Sequence, residues 1–212
     1  MTWRALREAR RYVVAAAAIE LALAPLRRLR GRLLAGTALL CLAFFRDPRR
    51  DLHPEPDVVY APADGVVVGI DTVQDAWVPG EAMRISTFLA LYDVHVNRSP
   101  VAGRIARAEA VPGGFAPAFL GRASANHRKR LAIDADGRRV VLVQIAGLVA
   151  RRISSWAWTG DVVKAGQRIA LIHFGSRAEV LLPAGAAEPT VEKGQRVRAG
   201  LTPIARYLPA EV

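Results

Sequence analysis

The spacing of hydrophobic positions along this chain changes character once, near residue 57. Before that point stand two unbroken apolar runs, Tyr12–Ala24 and Leu33–Phe45, separated by Pro25 and the cluster Arg27-Arg28-Leu29-Arg30-Gly31-Arg32. Continuous runs of this length, without strand-like alternation, predict helices. Each is 13 residues, or roughly 20 Å of helix against a hydrocarbon core of roughly 30 Å, too short to span a bilayer alone. From Val58 the pattern becomes short β-branched and aliphatic runs bounded by turn residues: Val58–Tyr60, Val66–Ile70, Ala82–Phe88, Gly103–Ala108, Val140–Ile145, Ile169–Phe174 and Val180–Leu182. That spacing predicts a sandwich or barrel rather than alternating β/α units. The expected fold is mainly β (α+β), with a helical segment over residues 1–50 and a β-rich domain over 51–212. Pro48 ends the helical region, because the residue before a proline avoids the α conformation. Pro54 and Pro56 make an extended linker.

Two internal echoes refine this picture. Ala61-Pro62-Ala63-Asp64-Gly65-Val66-Val67 recurs as Ser99-Pro100-Val101-Ala102-Gly103-Arg104-Ile105, and Gly160-Asp161-Val162-Val163-Lys164-Ala165-Gly166 recurs as Gly194-Gln195-Arg196-Val197-Arg198-Ala199-Gly200. The paired Gly-x-x-Val-x-x-Gly turns resemble the hairpins of biotinyl and lipoyl carrier domains, which implies a barrel-sandwich hybrid. The same likeness raises a rival function, a non-catalytic carrier module. Such modules present a lysine at an exposed hairpin tip; the lysines here are Lys129, Lys164 and Lys193, none in that setting. Gly175-Ser176 is expected where the tip would be.

Charge narrows the partners. Of a net +11, residues 1–50 supply +8, from eleven arginines against Glu8, Glu20 and Asp47. A basic excess suits nucleic acid or an anionic membrane surface. Apolar runs interleaved with the arginines favour the membrane, and no recognition helix or exposed aromatic set favours nucleic acid. The two helices are expected to form a shallow hairpin with arginines at its rims, on the cytoplasmic face of the cell membrane; packing on the main domain is the alternative. Ala22-Leu23-Ala24 has the small-x-small form of a signal cleavage site, but Pro25 and the arginine cluster argue against processing there. A single cysteine, Cys41, excludes an internal disulfide framework and a cysteine-based zinc site; no metal is expected.

The stretch with candidate chemistry is Ile169–Pro183, where Gly175-Ser176 interrupts two apolar strand segments. By itself this pair reads as a bend, since glycine tolerates backbone shapes other residues do not. Activating a serine hydroxyl calls for a base, commonly an imidazole oriented by a carboxylate. The chain offers His53, His95, His127 and His173.

Several segments together resemble phosphatidylserine decarboxylase of the short bacterial and archaeal type. They are Phe44-Phe45-Arg46-Asp47-Pro48-Arg49-Arg50, Ala61-Pro62-Ala63-Asp64-Gly65, Asp93-Val94-His95-Val96-Asn97-Arg98-Ser99-Pro100, Gln144 to Ile153, and Phe174-Gly175-Ser176-Arg177. Their order and spacing match from about Phe44 to Ala205. The resemblance implies a proenzyme that cleaves itself between Gly175 and Ser176 and converts Ser176 into a pyruvoyl group. That group would form a Schiff base with the lipid amine and act as the electron sink for decarboxylation to phosphatidylethanolamine. It implies His95 as the functional imidazole and Asp64 as its carboxylate. The partners implied are a phospholipid on an anionic membrane and the cleaved fragment 176–212 held against 1–175, with room for a homo-oligomer. An ether-lipid serine decarboxylase of archaeal type would use the same chemistry.

The chain departs from the family pattern in three places. Long-type members carry two histidines three apart; here the first falls on His95 and the second position is Arg98. His173, three residues before Ser176, is a candidate helper. Arg177 follows the serine where long-type members have threonine, and becomes a candidate for binding the substrate carboxylate or phosphate. Arg98, Arg151 and Arg152 are further candidates for the lipid phosphate. Asn126-His127-Arg128 stands where the family usually has Asn-Glu-Arg, so His127 is given no role. The segment Val111–Ala123 reads as an apolar loop that either admits acyl chains or simply covers the surface.

Overall fold

The computed structural model describes residues 3–22, 32–118, 121–148 and 151–209. The chain forms two compact units, Met1–Arg49 and Arg50–Val212. In the first, helix α1 (Trp3–Ala22) packs on helix α2 (Arg32–Phe44). Glu20, the one acidic residue inside the first apolar run, accepts a 2.9 Å hydrogen bond from the Leu34 amide. It thereby satisfies one of the amides that every helix leaves open in its first turn. Tyr12 stacks against Phe45 at 5.6 Å between ring centroids. Val14, Ile19, Leu21, Leu39, Leu40 and Leu42 are exposed. Among the described residues no helix is long and apolar enough to cross a membrane. Pro25 and most of the arginine cluster lie outside the described residues.

The second unit is built of strands. The largest sheet has eight, in the order β13 (Arg196–Val197), β2 (Gly65–Gln74), β3 (Glu81–Leu89), β11 (Ser176–Pro183), β7 (Arg138–Ile145), β6 (Arg128–Ala135), β5 (Gly103–Val111) and β9 (Val162–Val163). A three-stranded sheet joins β1 (Val58–Tyr60), β14 (Pro203–Tyr207) and β12 (Ala187–Pro189); another joins β4 (Val96–Arg98), β10 (Arg168–Ile172) and β8 (Ile153–Ser155). All the pairings are antiparallel. The fold is mainly β, and the eight-stranded sheet curls around a core that includes Val67, Ile85, Ile105, Leu131, Ile133, Leu142, Val180 and Leu182.

The sequence echoes are spatial partners. Tyr60 N–H donates to the Pro100 carbonyl, and Arg98 N–H donates to the Pro62 carbonyl. Gly200 N–H reaches Ala61 O as Gly166 N–H reaches Ser99 O. Gly65 pairs with Val197 at one end of the large sheet, and Gly103 with Val163 at the other. The two halves are thus related by an approximate internal dyad between β11 and β7. The expectation that Gly175-Ser176 occupies a hairpin tip is corrected. Strands β10 and β11 lie in different sheets, and His173–Gly175 carry the chain from one to the other.

Candidate active site

The crossing from β10 to β11 is short and bent. Phe174 and Gly175 have φ of 40° and 66°, the left-handed region that costs an L-residue roughly 1–2 kcal/mol. Ser176, the first residue of β11, is fully buried, and its Oγ has no hydrogen-bond partner among the described residues. An orphaned buried hydroxyl costs roughly 1–3 kcal/mol and is uncommon enough to point to function. The Gly175 carbonyl lies against Gly147: a Cβ added there would stand 1.5 Å from that oxygen and 2.7 Å from its carbon. Only glycine permits this approach.

His95 enters from β4. Its backbone carbonyl receives the Ile172 amide, so the strand pairing carries the imidazole toward the crossing. The ring is fully buried, with Nδ1 2.9 Å from the Asp93 carbonyl and Nε2 3.4 Å from the Gly175 amide nitrogen. A carbonyl can only accept and an amide can only donate. The ring is therefore protonated on Nδ1, and its Nε2 lone pair faces the Gly175–Ser176 segment. The carbonyl that sets this tautomer is held by its own residue. The buried Asp93 carboxylate accepts from the Ala90 amide at 2.9 Å and pairs with Arg196 at 2.5 Å.

Asp64 occupies the matching turn of the other echo. Its two oxygens take a bidentate pair from Arg50 at 2.6 and 2.7 Å, and one also accepts the Ala199 amide at 2.8 Å. Its carboxylate is thus engaged with Arg50 and the Ala199 backbone, and the His95 ring takes its orientation from Asp93. His173 is buried, with its Nε2 3.0 Å from a different hydroxyl, that of Ser154.

The arginines separate into two groups. Arg177 follows Ser176 by one residue on a strand and so points to the opposite face. There it lies 2.9 Å from the Glu179 carboxylate, and it donates to Ser124 Oγ at 3.1 Å. Burial pushes the Glu179 carboxyl up, opposed by Arg177 and Arg84. Arg98 is buried and donates to the Gly166 carbonyl at 3.0 Å, its stem packed where Gly200 leaves room. Arg177 is thus turned to the face opposite Ser176, and Arg98 is held by the Gly166 carbonyl. Arg151 and Arg152 are exposed; Arg151 lies 5.1 Å from the Phe115 ring centroid, and Arg152 gives its carbonyl to the His173 amide.

Three contributors were not singled out from sequence. Gly147 admits the Gly175 carbonyl, and Asp93 sets the imidazole tautomer. The third is Gln144, opposite Ala178 and so on the same face as Ser176. Its Nε2 donates to Asn97 Oδ1 at 2.8 Å, and its buried Oε1 has no partner among the described residues. Asn126 also ties the apolar loop to this floor, bonding both Ala116 and the Ala146 carbonyl.

Residues 37–205 match the profile of the family described as phosphatidylserine decarboxylase. The chain belongs to that family. It is 44% identical over 204 residues to a phosphatidylserine decarboxylase proenzyme of Ruegeria pomeroyi, with 93% of each chain covered. It is 47% identical over 188 residues to the proenzyme of Erythrobacter litoralis, covering 82% of this chain and 75% of that one. Identity to the Symbiobacterium thermophilum proenzyme is 46% over 179 residues, with 83% of each covered. The match takes in α2 from residue 37 and nearly all of the β unit, including every residue placed above at the crossing.

Proposed function

We propose that this protein is a phosphatidylserine decarboxylase proenzyme that cleaves itself between Gly175 and Ser176. The observation that carries the reading is the crossing itself: an unpartnered buried Ser176 hydroxyl, a glycine carbonyl seated on Gly147, and the His95 lone pair aimed at the Gly175 amide.

The chemistry follows from those atoms. His95 Nε2 exchanges the Gly175 amide for the Ser176 hydroxyl and removes its proton as Oγ attacks the Gly175 carbonyl carbon. Such hydrogen bonds are commonly long before reaction. The C–N bond breaks, the proton passes to the Ser176 nitrogen, and an ester replaces the amide. Loss of the Ser176 α-proton then expels Gly175 as a free carboxylate, and hydrolysis of the resulting dehydroalanine releases ammonia and leaves pyruvoyl. The left-handed backbone of Phe174, costly for a non-glycine residue, is strain stored one residue before the bond that breaks.

The residues present fit such a group: it would be held at the head of β11, flanked by the Gln144 amide and the His95 imidazole. A pyruvoyl carbonyl supplies an electron sink for the bond that releases carbon dioxide. His95 is the acid that returns a proton to the substrate carbon. Asp64 is a positioning residue: through Arg50 and Ala199 it holds the turn whose Pro62 carbonyl anchors β4, the strand that follows His95 directly. Arg151 and Arg152 draw the anionic headgroup toward the mouth. The N-terminal helices, with exposed leucines and arginines, hold the enzyme peripherally on the cytoplasmic membrane face.

Intact mass of the purified protein tests the reading. The expected result is two chains, 1–175 and 176–212, the second with a blocked N-terminus. Ser176→Ala should remain one chain and release no carbon dioxide from phosphatidylserine. Persistence of the full-length wild-type chain at neutral pH would overturn it.

A further inference from the structure

Away from the crossing, one charged side chain is buried and, among the described residues, forms no ion pair. Lys129, on β6, is 6% exposed. Its Nζ donates to the Ala157 carbonyl at 3.2 Å and sits 4.1 Å from the centroid of the Trp158 ring. Among the described residues no carboxylate pairs with it. A buried ammonium with unused donors is costly unless something compensates it. Burial accordingly holds its pKa down to about 8.

The ammonium borders an open cleft of about 220 Å³ whose lining includes Glu109, His127, Ser155 and Trp158. Its one acidic residue, Glu109, is bound to Arg107 at 2.7 Å. The remaining polar groups are an imidazole and a hydroxyl, both able to donate to an anion. The cleft is also on the right face. Lys129 pairs with Gln144 on β7, which pairs with Ala178 on β11. All three project to the face that carries Ser176, and Lys129 is two strand spacings from β11, roughly 10 Å. At its rim, His127 faces Phe115 at 6.2 Å, and its carbonyl receives the Ala146 amide next to Gly147.

We propose that the Lys129 cleft is a phosphate seat, binding the phosphodiester of the lipid whose amine reaches the head of β11. The inference rests on the lipid decarboxylase reading for the choice of ligand, and its shared chemistry is a phosphate anion. The positive head, the Ser155 hydroxyl and the aromatic wall together suit a phosphate with an attached apolar glycerol. Removing a charge-assisted contact of this kind corresponds to a loss of roughly ten- to a hundredfold in affinity.

The test uses the processed full-length enzyme and two probes, inorganic phosphate and short-chain phosphatidylserine. Trp158 reports binding through its fluorescence, with Trp158→Phe identifying its share of the signal. The wild type should show a saturable change, Lys129→Met should lose it, and Lys129→Arg should largely restore it. Tighter binding of the short-chain lipid marks a headgroup seat, and tighter binding of inorganic phosphate marks a free-phosphate seat; either supports an anion site at Lys129. In turnover, Lys129→Met should raise KM ten- to a hundredfold with kcat and self-cleavage unchanged. His127→Glu, which supplies an internal counter-ion, should weaken both probes. Equal affinity in Lys129→Met, or no saturable change with either probe, overturns the seat. Because inorganic phosphate is bound without turnover, loss of its signal is distinct from an absence of decarboxylation.

Discussion

Gly147→Ala is the sharpest single perturbation of the crossing. The new Cβ would lie 1.5 Å from the Gly175 carbonyl oxygen, and contacts below 3.0 Å are essentially never seen. The carbonyl must therefore retreat by about 1.5 Å, and a misplacement near 1 Å at a reacting centre costs roughly a hundredfold in rate. Self-cleavage of Gly147→Ala should fall by about a hundredfold or more. A time course of freshly synthesised protein, followed by gel and intact mass, measures it directly. Gly69→Ala is the control, because nothing lies within 4 Å of its added Cβ; it should cleave at the wild-type rate. Circular dichroism separates a displaced carbonyl from a failure to fold. Cleavage of folded Gly147→Ala within twofold of wild type would refute the claim that the scissile carbonyl must rest on that residue.

Other outcomes follow from the same geometry. In a Ser176→Ala background, Gly175→Ala should fold but lose about 1 kcal/mol in denaturant unfolding, since it meets no atoms but keeps a left-handed backbone. The Arg50–Asp64 pair is 6% and 15% exposed at its two side chains, so Asp64→Asn should cost about 3 kcal/mol, with Arg50→Met similar and the double variant no worse. Lost cleavage with unchanged stability would instead mean that Asp64 acts directly on His95. Sedimentation with anionic vesicles should weaken at high salt and weaken further in Leu39→Asp/Leu40→Asp, given that both leucines are exposed; unchanged sedimentation would count against the membrane role of α2.

Much of this architecture was readable before any coordinates. Period and turn residues located the helices and the first, second, third, fifth, seventh, tenth and eleventh strands, because each buries a face that must be apolar. Strand β6 was missed since it opens Arg128-Lys129-Arg130, of which Arg128 and Arg130 line the outer face and Lys129 the cleft. The echoes became the internal dyad of the fold, because a repeated Pro-x-x-Gly turn satisfies the same backbone groups twice. At the crossing, Gly175-Ser176 alone reads as a bend, and it and His95 were picked out by the family resemblance of the segments that hold them. Gly147 and Asp93 carried none: one acts through the absence of a side chain, the other through a backbone carbonyl. Side-chain direction also escaped the sequence. Adjacency suggested Arg177 beside the reaction, whereas the two-residue period of a strand turns it away.

Cleavage between Gly175 and Ser176 would change what kind of molecule this is. Strand β11 lies inside the eight-stranded sheet, paired with β3 over all eight of its residues and with β7 over five. Strands β12, β13 and β14 follow it in the same fragment and join two of the sheets. The fragment that would bear the prosthetic group is thus woven through the body of its larger partner, and after cleavage it would have no covalent link to it. Unfolding the mature protein becomes a dissociation, and dilution then works against recovery. Because the turn that drove cleavage no longer exists, a separated pair cannot rebuild its reactive group from the parts. Each molecule is activated once, and its working life lasts as long as the sheet stays closed.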